Sequence, residues 1–259
     1  MDLKIRGRTA LVCAASRGLG RACAEALAAE GVRVTVTGRD PESLSATAAE
    51  IGAMAGVEVG FAAGDIGTED GRRLALKACP QPDILITNGG GPPLGPFGDL
   101  DEEQWRQAVE ANMLAPLSLI RAVHPGMRAR RFGRIVNITS AYVKAPHPLL
   151  ALSVGPRAGL TAAVSWLARE GVSDNVTINN LLPEMILTDR ARAGFDAMAA
   201  NAGVNYAAFV EGVVADLPAR RLGEPREFGA VCAFLCGADA GYVTNQSIVV
   251  DGGHYPGVF

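Results

Sequence analysis

The sequence predicts an α/β protein with a doubly wound parallel sheet, a single-domain Rossmann fold with helices on both faces. Three observations predict it. Short apolar, β-branched runs alternate with helical patterns along almost the whole chain of 259 residues, and such alternation builds parallel βαβ units with right-handed crossovers. The first apolar run ends in small residues and a Gly-x-Gly pair that opens a helix, the turn with which this fold class approaches a phosphate. Apolar residues make up 49% of the chain, with 31 Gly and only 5% aromatics, a composition suited to helices packed closely on a sheet buried on both faces.

Residues 9–13 read as the first strand, and the helix pattern after the turn runs over 21–30 to Gly31. Residues 32–37 are a second, β-branched strand, and Pro41 opens a helix to about residue 53 as a first helical residue. A third strand covers 57–62, a helix 68–78 and a wholly apolar fourth strand 84–87. Residues 88–96 are a Gly/Pro loop; a long helix over 102–127 and a fifth strand at 133–139 follow. The helical stretch 149–170 carries a Pro in its first part, and a sixth strand spans 176–182. The Ala-rich 188–217 region reads as two short helices, 225–236 as a helix and 246–250 as the last strand. Neither a repeat nor a linker interrupts the pattern, so 1–259 is one domain.

Net charge is −3, which argues against nucleic acid or an anionic membrane as partner. The densest basic group, Arg128, Arg130, Arg131 and Arg134, reads as a solvated helix end and turn. Five Cys without a CxxC, Cys232 and Cys236 among them, read as buried reduced thiols of a cytoplasmic protein with no metal site. The opening residues read as a strand rather than a signal peptide, and no run reaches the roughly 18 apolar residues of a membrane span.

The first turn is where a doubly wound fold holds a dinucleotide. A helix beginning near Gly18 aims free N–H groups and its positive dipole end at the pyrophosphate. At the end of the second strand an acidic residue would bond a ribose 2′-hydroxyl and repel a phosphate. This chain has Gly38 and Arg39 there, with Arg17 in the first turn. Two guanidiniums form a clamp for a 2′-phosphate, which favours NADP(H) over the competing reading of two solvated surface arginines.

The stretch Thr9-Ala10-Leu11-Val12-Cys13-Ala14-Ala15-Ser16-Arg17-Gly18-Leu19-Gly20 resembles the short-chain dehydrogenase/reductase opening TALVTGASRGIG. Further matches run in order along the chain: Asp65 and Ile66 as the adenine-contacting segment, Asn88-Gly89-Gly90 in the place of NNAG, Asn112 as the helix Asn that carries a proton-relay water. Ser140 matches the catalytic Ser; Pro183, Ile186 and Thr188 match the segment at the nicotinamide; Asp251-Gly252-Gly253 matches the C-terminal DGG. The resemblance implies a cofactor site of Ala14, Ser16, Arg17, Gly18, Leu19, Gly20, Arg39, Asp65, Ile66, Asn88, Gly89, Gly90, Arg157, Pro183, Ile186 and Thr188. It also implies a small-molecule substrate under a lid at 188–217 and a homo-oligomer, tetramer or dimer. The lid is Ala-rich, which suggests an apolar or acyl-type ligand, though a helix pair burying an apolar stripe would read the same way.

One departure bears on mechanism. The family pattern requires Tyr-x-x-x-Lys after the Ser; here the two positions carry Ser153 and Arg157, and no Tyr-x-x-x-Lys occurs in the chain. The chain thus resembles divergent ketoacyl-reductase-like members that lack the tyrosine. A serine hydroxyl is a far weaker acid than a phenol, and arginine keeps its charge without relaying a proton. Three outcomes follow: an NADP(H)-dependent oxidoreductase whose acid has moved, with Tyr142 and His147 in the loop after Ser140 as candidates; a non-redox lyase or isomerase, for which Glu184 beside Pro183 is the notable group; or an inactive NADP(H)-binding protein.

Overall fold

The computed structural model describes residues 2–258. Seven strands, β1 (Thr9–Val12), β2 (Arg33–Gly38), β3 (Val59–Ala63), β4 (Ile84–Thr87), β5 (Gly133–Ile138), β6 (Val176–Pro183) and β7 (Ser247–Val250), form one sheet in the order β3-β2-β1-β4-β5-β6-β7. Every ladder is parallel. The chain winds outward from β1 to β3, returns, and winds the other way from β4. The crevice at the carboxyl ends of β1 and β4 is the switch point at which such sheets bind ligands.

Among the described residues nine α-helices complete the framework: α1 (Gly18–Ala29), α2 (Pro41–Ala55), α3 (Glu69–Ala78), α4 (Glu102–Val109), α5 (Ala115–Ala129), α6 (Ala151–Gly171), α7 (Asp189–Asn201), α8 (Tyr206–Asp216) and α9 (Pro225–Cys236). Alternate strand residues feed two cores. Ala10, Val12, Val34, Val36, Ile84 and Ile86 pack under α1, α2 and α9. Leu11, Leu85, Ile135 and Ile178 pack under α5 and α6. The period-2 alternation of the strands thus sorts the apolar residues onto two faces.

Local chemistry sets the helix starts. The Asp40 carboxylate accepts from the Glu42 and Ser43 N–H groups ahead of Pro41, Thr68 caps α3 through Gly71 N–H, and Asp101 with Gln104 makes a reciprocal capping box at α4. α1 begins at Gly18, earlier than its apolar periodicity announces, because its first turn lies against the nucleotide crevice rather than the core. α1 and α9 cross closely enough that a Cβ on Gly229 would stand 2.4 Å from the Ala22 carbonyl oxygen.

Two expectations need correction. The long helix over 102–127 is interrupted by a π turn at Glu110–Leu114. Pro116 is the cause: it has no N–H for the Asn112 carbonyl, and its ring crowds that carbonyl in an α register. The second concerns the basic group at the end of α5. Arg128 pairs with Glu170 and Asp174 at the surface, but Arg134 is wholly buried, 0% exposed. It points inward from β5 and donates to the carbonyls of Gly133, Asn175, Gly237 and Ala238 and to Asn175 Oδ1. These oxygens satisfy all the directions of a planar fork, which makes burial of its charge tolerable. All five Cys are buried free thiols, and no helix among the described residues is long and apolar enough to cross a membrane.

Arg134→Met is expected to lower the unfolding free energy by about 3 kcal/mol or more, since it strands several buried carbonyls at roughly 1–3 kcal/mol each. A urea denaturation midpoint measured beside the native chain checks it.

Candidate active site

The first turn is shaped by backbone contacts. Ala14 adopts φ 47°, in the left-handed region, and Gly18 follows at φ 61°. Ala14 N–H donates to Thr37 Oγ1 at 3.3 Å, and Asn88 Nδ2 donates to the Ala14 carbonyl at 3.3 Å. A Cβ on Gly20 would lie 2.4 Å from that same carbonyl oxygen. Gly20 therefore lets α1 begin directly on the end of β1, while Asn88 ties the end of β4 to the same point. α1 starts with no side-chain cap and no acid in its first turn, so its free N–H groups and dipole are available to an anion.

The neighbours predicted from sequence collect around this turn. A Cβ on Gly38 would be 3.5 Å from Ser16 Oγ, so the end of β2 meets the first turn and brings Arg39 to the side on which Arg17 stands. Both arginines are exposed, and neither guanidinium forms an ion pair or hydrogen bond among the described residues. Asp65 and Ile66 follow β3; Ile66 is buried, and the Asp65 carboxylate accepts from Gly67 N–H at 2.9 Å in its own turn. Leu19 packs against the core from α1. Gly90 has open space where a Cβ would be, and Thr188 closes on Gly18 from the far side, its methyl 3.6 Å from the Gly18 Cβ position. Thr188 also caps α7 through Ala191 N–H, Ile186 is buried, and Pro183 ends β6. These groups suit a dinucleotide: a glycine-lined bend, an uncapped helix start and two unengaged cations.

The residues that the sequence assigns to the substrate end gather around the tips of β5 and β6. Ile138 pairs with Leu181, so two residues further on Ser140 and Pro183 emerge side by side. Ser140 Oγ accepts from Tyr142 N–H at 3.3 Å. Asn112 is buried in the π turn; its Nδ2 donates to the Ala108 carbonyl at 3.2 Å, and Gly89 runs close beside it. Ser153 and Arg157 sit one turn apart on α6, with Arg157 Nη1 donating to Ser153 Oγ at 2.5 Å. Arg157 is 8% exposed, and no carboxylate pairs with it among the described residues. Burial, with the charge of Arg190 added, pulls its guanidinium down to about 10, so it remains a cation at neutral pH. His147 lies on the exposed loop, its Nδ1 accepting from Leu149 N–H, and its ring meets Tyr142 edge-on at 5.6 Å.

Three features lie beyond what the sequence reading gave. Glu184, the notable group of the lyase or isomerase reading, is enclosed: its side chain is 6% exposed and Oε1 lies 3.0 Å from His254 Nδ1. His254 arrives because Glu184 N–H bonds the Val250 carbonyl, alongside β7, and Gly252 and Gly253, at φ 67° and 85°, turn the chain back. Burial first, then Glu184's charge and hydrogen bonding, raises the Tyr142 phenol above its ordinary value. Lastly, Arg190 of α7 lays its guanidinium on Gly91, where a Cβ would be 2.5 Å from Nη2. The only advance sign of the His254 contact was its place next to the Asp-Gly-Gly turn. Arg190 had no local signal.

A parallel seven-stranded sheet with a glycine bend after β1 and an uncapped helix start defines a nucleotide-binding protein of Rossmann type. Residues 13–255 match the family profile described as enoyl-(acyl carrier protein) reductase. The 3-oxoacyl-[acyl-carrier-protein] reductase FabG of Escherichia coli K12 is 32% identical over 98% of this chain and 99% of its own. L-Sorbose reductase from Gluconobacter frateurii, solved with NADPH and L-sorbose, superposes with a TM-score of 0.95 at 27% identity, covering 100% of both chains. A 3-oxoacyl (acyl-carrier-protein) reductase from Agrobacterium tumefaciens C58 with NADP bound gives 0.86 at 27% identity, over 97% of this chain and 95% of that one. The chain belongs to the short-chain dehydrogenase/reductase family, the NAD(P)-dependent oxidoreductases that include the ketoacyl reductases.

Ala14 occupies the first glycine position of the bend at a φ that costs an L-residue about 1–2 kcal/mol, more than glycine's added unfolded-state entropy. Ala14→Gly is expected to raise the unfolding free energy by about 0.5–1 kcal/mol, whereas Gly20→Ala should abolish nucleotide binding. Denaturant melts and nucleotide fluorescence titrations check the pair.

Proposed function

We propose that this chain is an NADP(H)-dependent oxidoreductase acting on a carbonyl or hydroxyl group of a small apolar or acyl-type molecule, with Ser153 and Arg157 standing where the family carries Tyr and Lys. The observation that carries the cofactor reading is the pair Arg17 and Arg39, exposed and with side chains unengaged near the bend, with no acid at the end of β2. Bound NADPH supplies a hydride at its nicotinamide. Gly18, Leu19 and Gly20 at the start of α1 receive the pyrophosphate beside Ala14 and Ser16. Arg17 and Arg39 take the 2′-phosphate, Asp65 and Ile66 the adenine. Asn88, Gly89, Gly90 and Arg157 line the ribose side, and Pro183, Ile186 and Thr188 the nicotinamide. The L-sorbose and ketoacyl reductases solved with NADPH or NADP support the same choice.

At the substrate, Ser140 Oγ bonds the oxygen being reduced and Asn112 holds the buried polar end of the site. Ser153 cannot supply the proton: its hydroxyl starts several pK units above a phenol and is already the acceptor of Arg157. Arg157 holds charge without relaying protons. The acid therefore comes from the loop after Ser140, where Tyr142 and His147 lie. A second reading, a non-redox lyase or isomerase, is favoured by one observation, the buried Glu184 carboxylate beside Pro183.

Fluorescence titration is expected to show NADPH binding at least ~10-fold tighter than NADH, and Arg39→Asp should erase that preference, a charge-assisted contact being worth about 1.5–3 kcal/mol. Equal affinities in the native chain would remove the clamp. A panel of ketones and alcohols, assayed by nicotinamide absorbance beside Ser153→Tyr/Arg157→Lys, tests the chemistry: turnover by the double variant but not by the native chain defeats the redox reading.

A further inference from the structure

Two arginines flank the loop over 88–96, one from α6 and one from α7, and neither meets an anion among the described residues. We infer that Arg157 and Arg190 form a carboxylate-binding site, so that the substrate is an oxo acid, or the matching hydroxy acid, with a free carboxylate. The inference rests on the oxidoreductase reading above and narrows its acyl-type molecule to the free acid rather than an ester or thioester.

Arg157 carries the argument. It is 8% exposed. Its Nη1 is engaged with the Ser153 hydroxyl and carbonyl, both neutral acceptors. Nε and Nη2 find no protein acceptor, yet neither is sealed: among the described residues the one sealed side-chain polar atom without a partner is His124 Nε2. The unused N–H groups of a buried cation therefore open onto accessible space. Buried charges are ordinarily paired, because an unpaired one forfeits its hydration without return. The ribose hydroxyls that Arg157 meets under the proposed function are neutral and leave its charge uncompensated.

The loop brings Arg190 to the same end of the molecule. At Gly89 it abuts the π turn, with the Cβ position 3.2 Å from the Ala111 carbonyl oxygen and 3.7 Å from Asn112 Oδ1. At Gly95 its N–H donates to the Leu149 carbonyl at 3.1 Å, just ahead of α6. Arg157 reaches back along α6 to Ser153 in the first turn of that helix. Arg190 lies on Gly91 between the two ends and donates to the Pro92 carbonyl at 3.4 Å. Burial, and then the charge of Arg190, lowers the Arg157 guanidinium from its ordinary value, as expected of two cations with no anion between them.

A carboxylate answers this arrangement. Its two oxygens match the planar fork of a guanidinium, and one anion between two cations removes both the unpaired buried charge and the repulsion. A phosphate dianion suits the place less, since α7 begins beside Arg190 with Asp189 in its first turn and Thr188 already capping it. An Arg190 serving only to hold α7 on the loop would need the Pro92 contact but would leave the charge of Arg157 unexplained.

Pyruvate, acetoacetate and levulinate, each beside its ethyl ester, test the site by ligand-observed NMR on the full-length protein, free and with NADP+, where no reduction occurs. At least one acid is expected to bind ~10-fold or more tighter than its ester, the scale of a charge-assisted contact. Arg190→Met should bring that acid to the affinity of its ester, and Arg190→Lys, which keeps the charge, should restore part of the preference. With NADPH, Arg190→Met should raise KM for the acid by a similar factor while kcat changes little, the mark of an interaction made equally in ground and transition states. No acid preferred over its ester, or a preference that survives Arg190→Met, overturns the inference. Reduction of the esters without preference for the acids would overturn it and leave the oxidoreductase reading intact. Acids that bind as expected without any NADPH oxidation would uphold the carboxylate site and remove the oxidoreductase reading instead.

Discussion

The site depends on one backbone contact, the carbonyl of Ala14 held between α1 and the end of β4. Gly20 presents no side chain to it, so α1 can start against the end of β1, and Asn88 grips the same oxygen from the other side. This seats the helix N-terminus over the crevice where the sheet's winding reverses. The dipole and the free N–H groups then point where a pyrophosphate would lie, and the neighbouring strands carry Arg39, Asn88, Ser140 and Pro183 to the same edge. Widening that contact by one methyl group would displace the anion site from everything arranged around it.

Within this frame α6 sets a hydroxyl and a guanidinium one turn apart: Ser153 Oγ accepts from the buried Arg157. Under the proposed function this pair stands where the family carries its acid and cationic helper. A carboxylate follows Pro183 and is enclosed rather than solvated, with the His254 imidazole 3.0 Å from it.

The π turn belongs to the same theme. Pro116 denies the Asn112 carbonyl its helical donor, while the Asn112 side chain occupies the Ala108 carbonyl. The helix opens by one residue at the point where it passes Gly89 and the substrate end. Its position is written in the sequence by an Asn and a Pro four residues apart, a signal that apolar periodicity does not carry because both residues fit the helical pattern around them.

The sequence by itself determined the doubly wound sheet and the glycine bend at its switch point, and it points to a 2′-phosphate clamp and to the tips of β5 and β6 as the place of chemistry. These are properties of contiguous residues: strand alternation, glycines before a helix, an arginine in place of an acid. What only the tertiary structure decided was the partnership of groups far apart in the chain. Glu184 reads as a notable acid beside Pro183 with no partner until the turn after β7 brings back an imidazole 70 positions away, and Arg134 reads as part of a solvated basic cluster until β5 places it among five oxygen acceptors. Burial and pairing of charge depend on which elements the fold stacks together, and no local pattern encodes that distance.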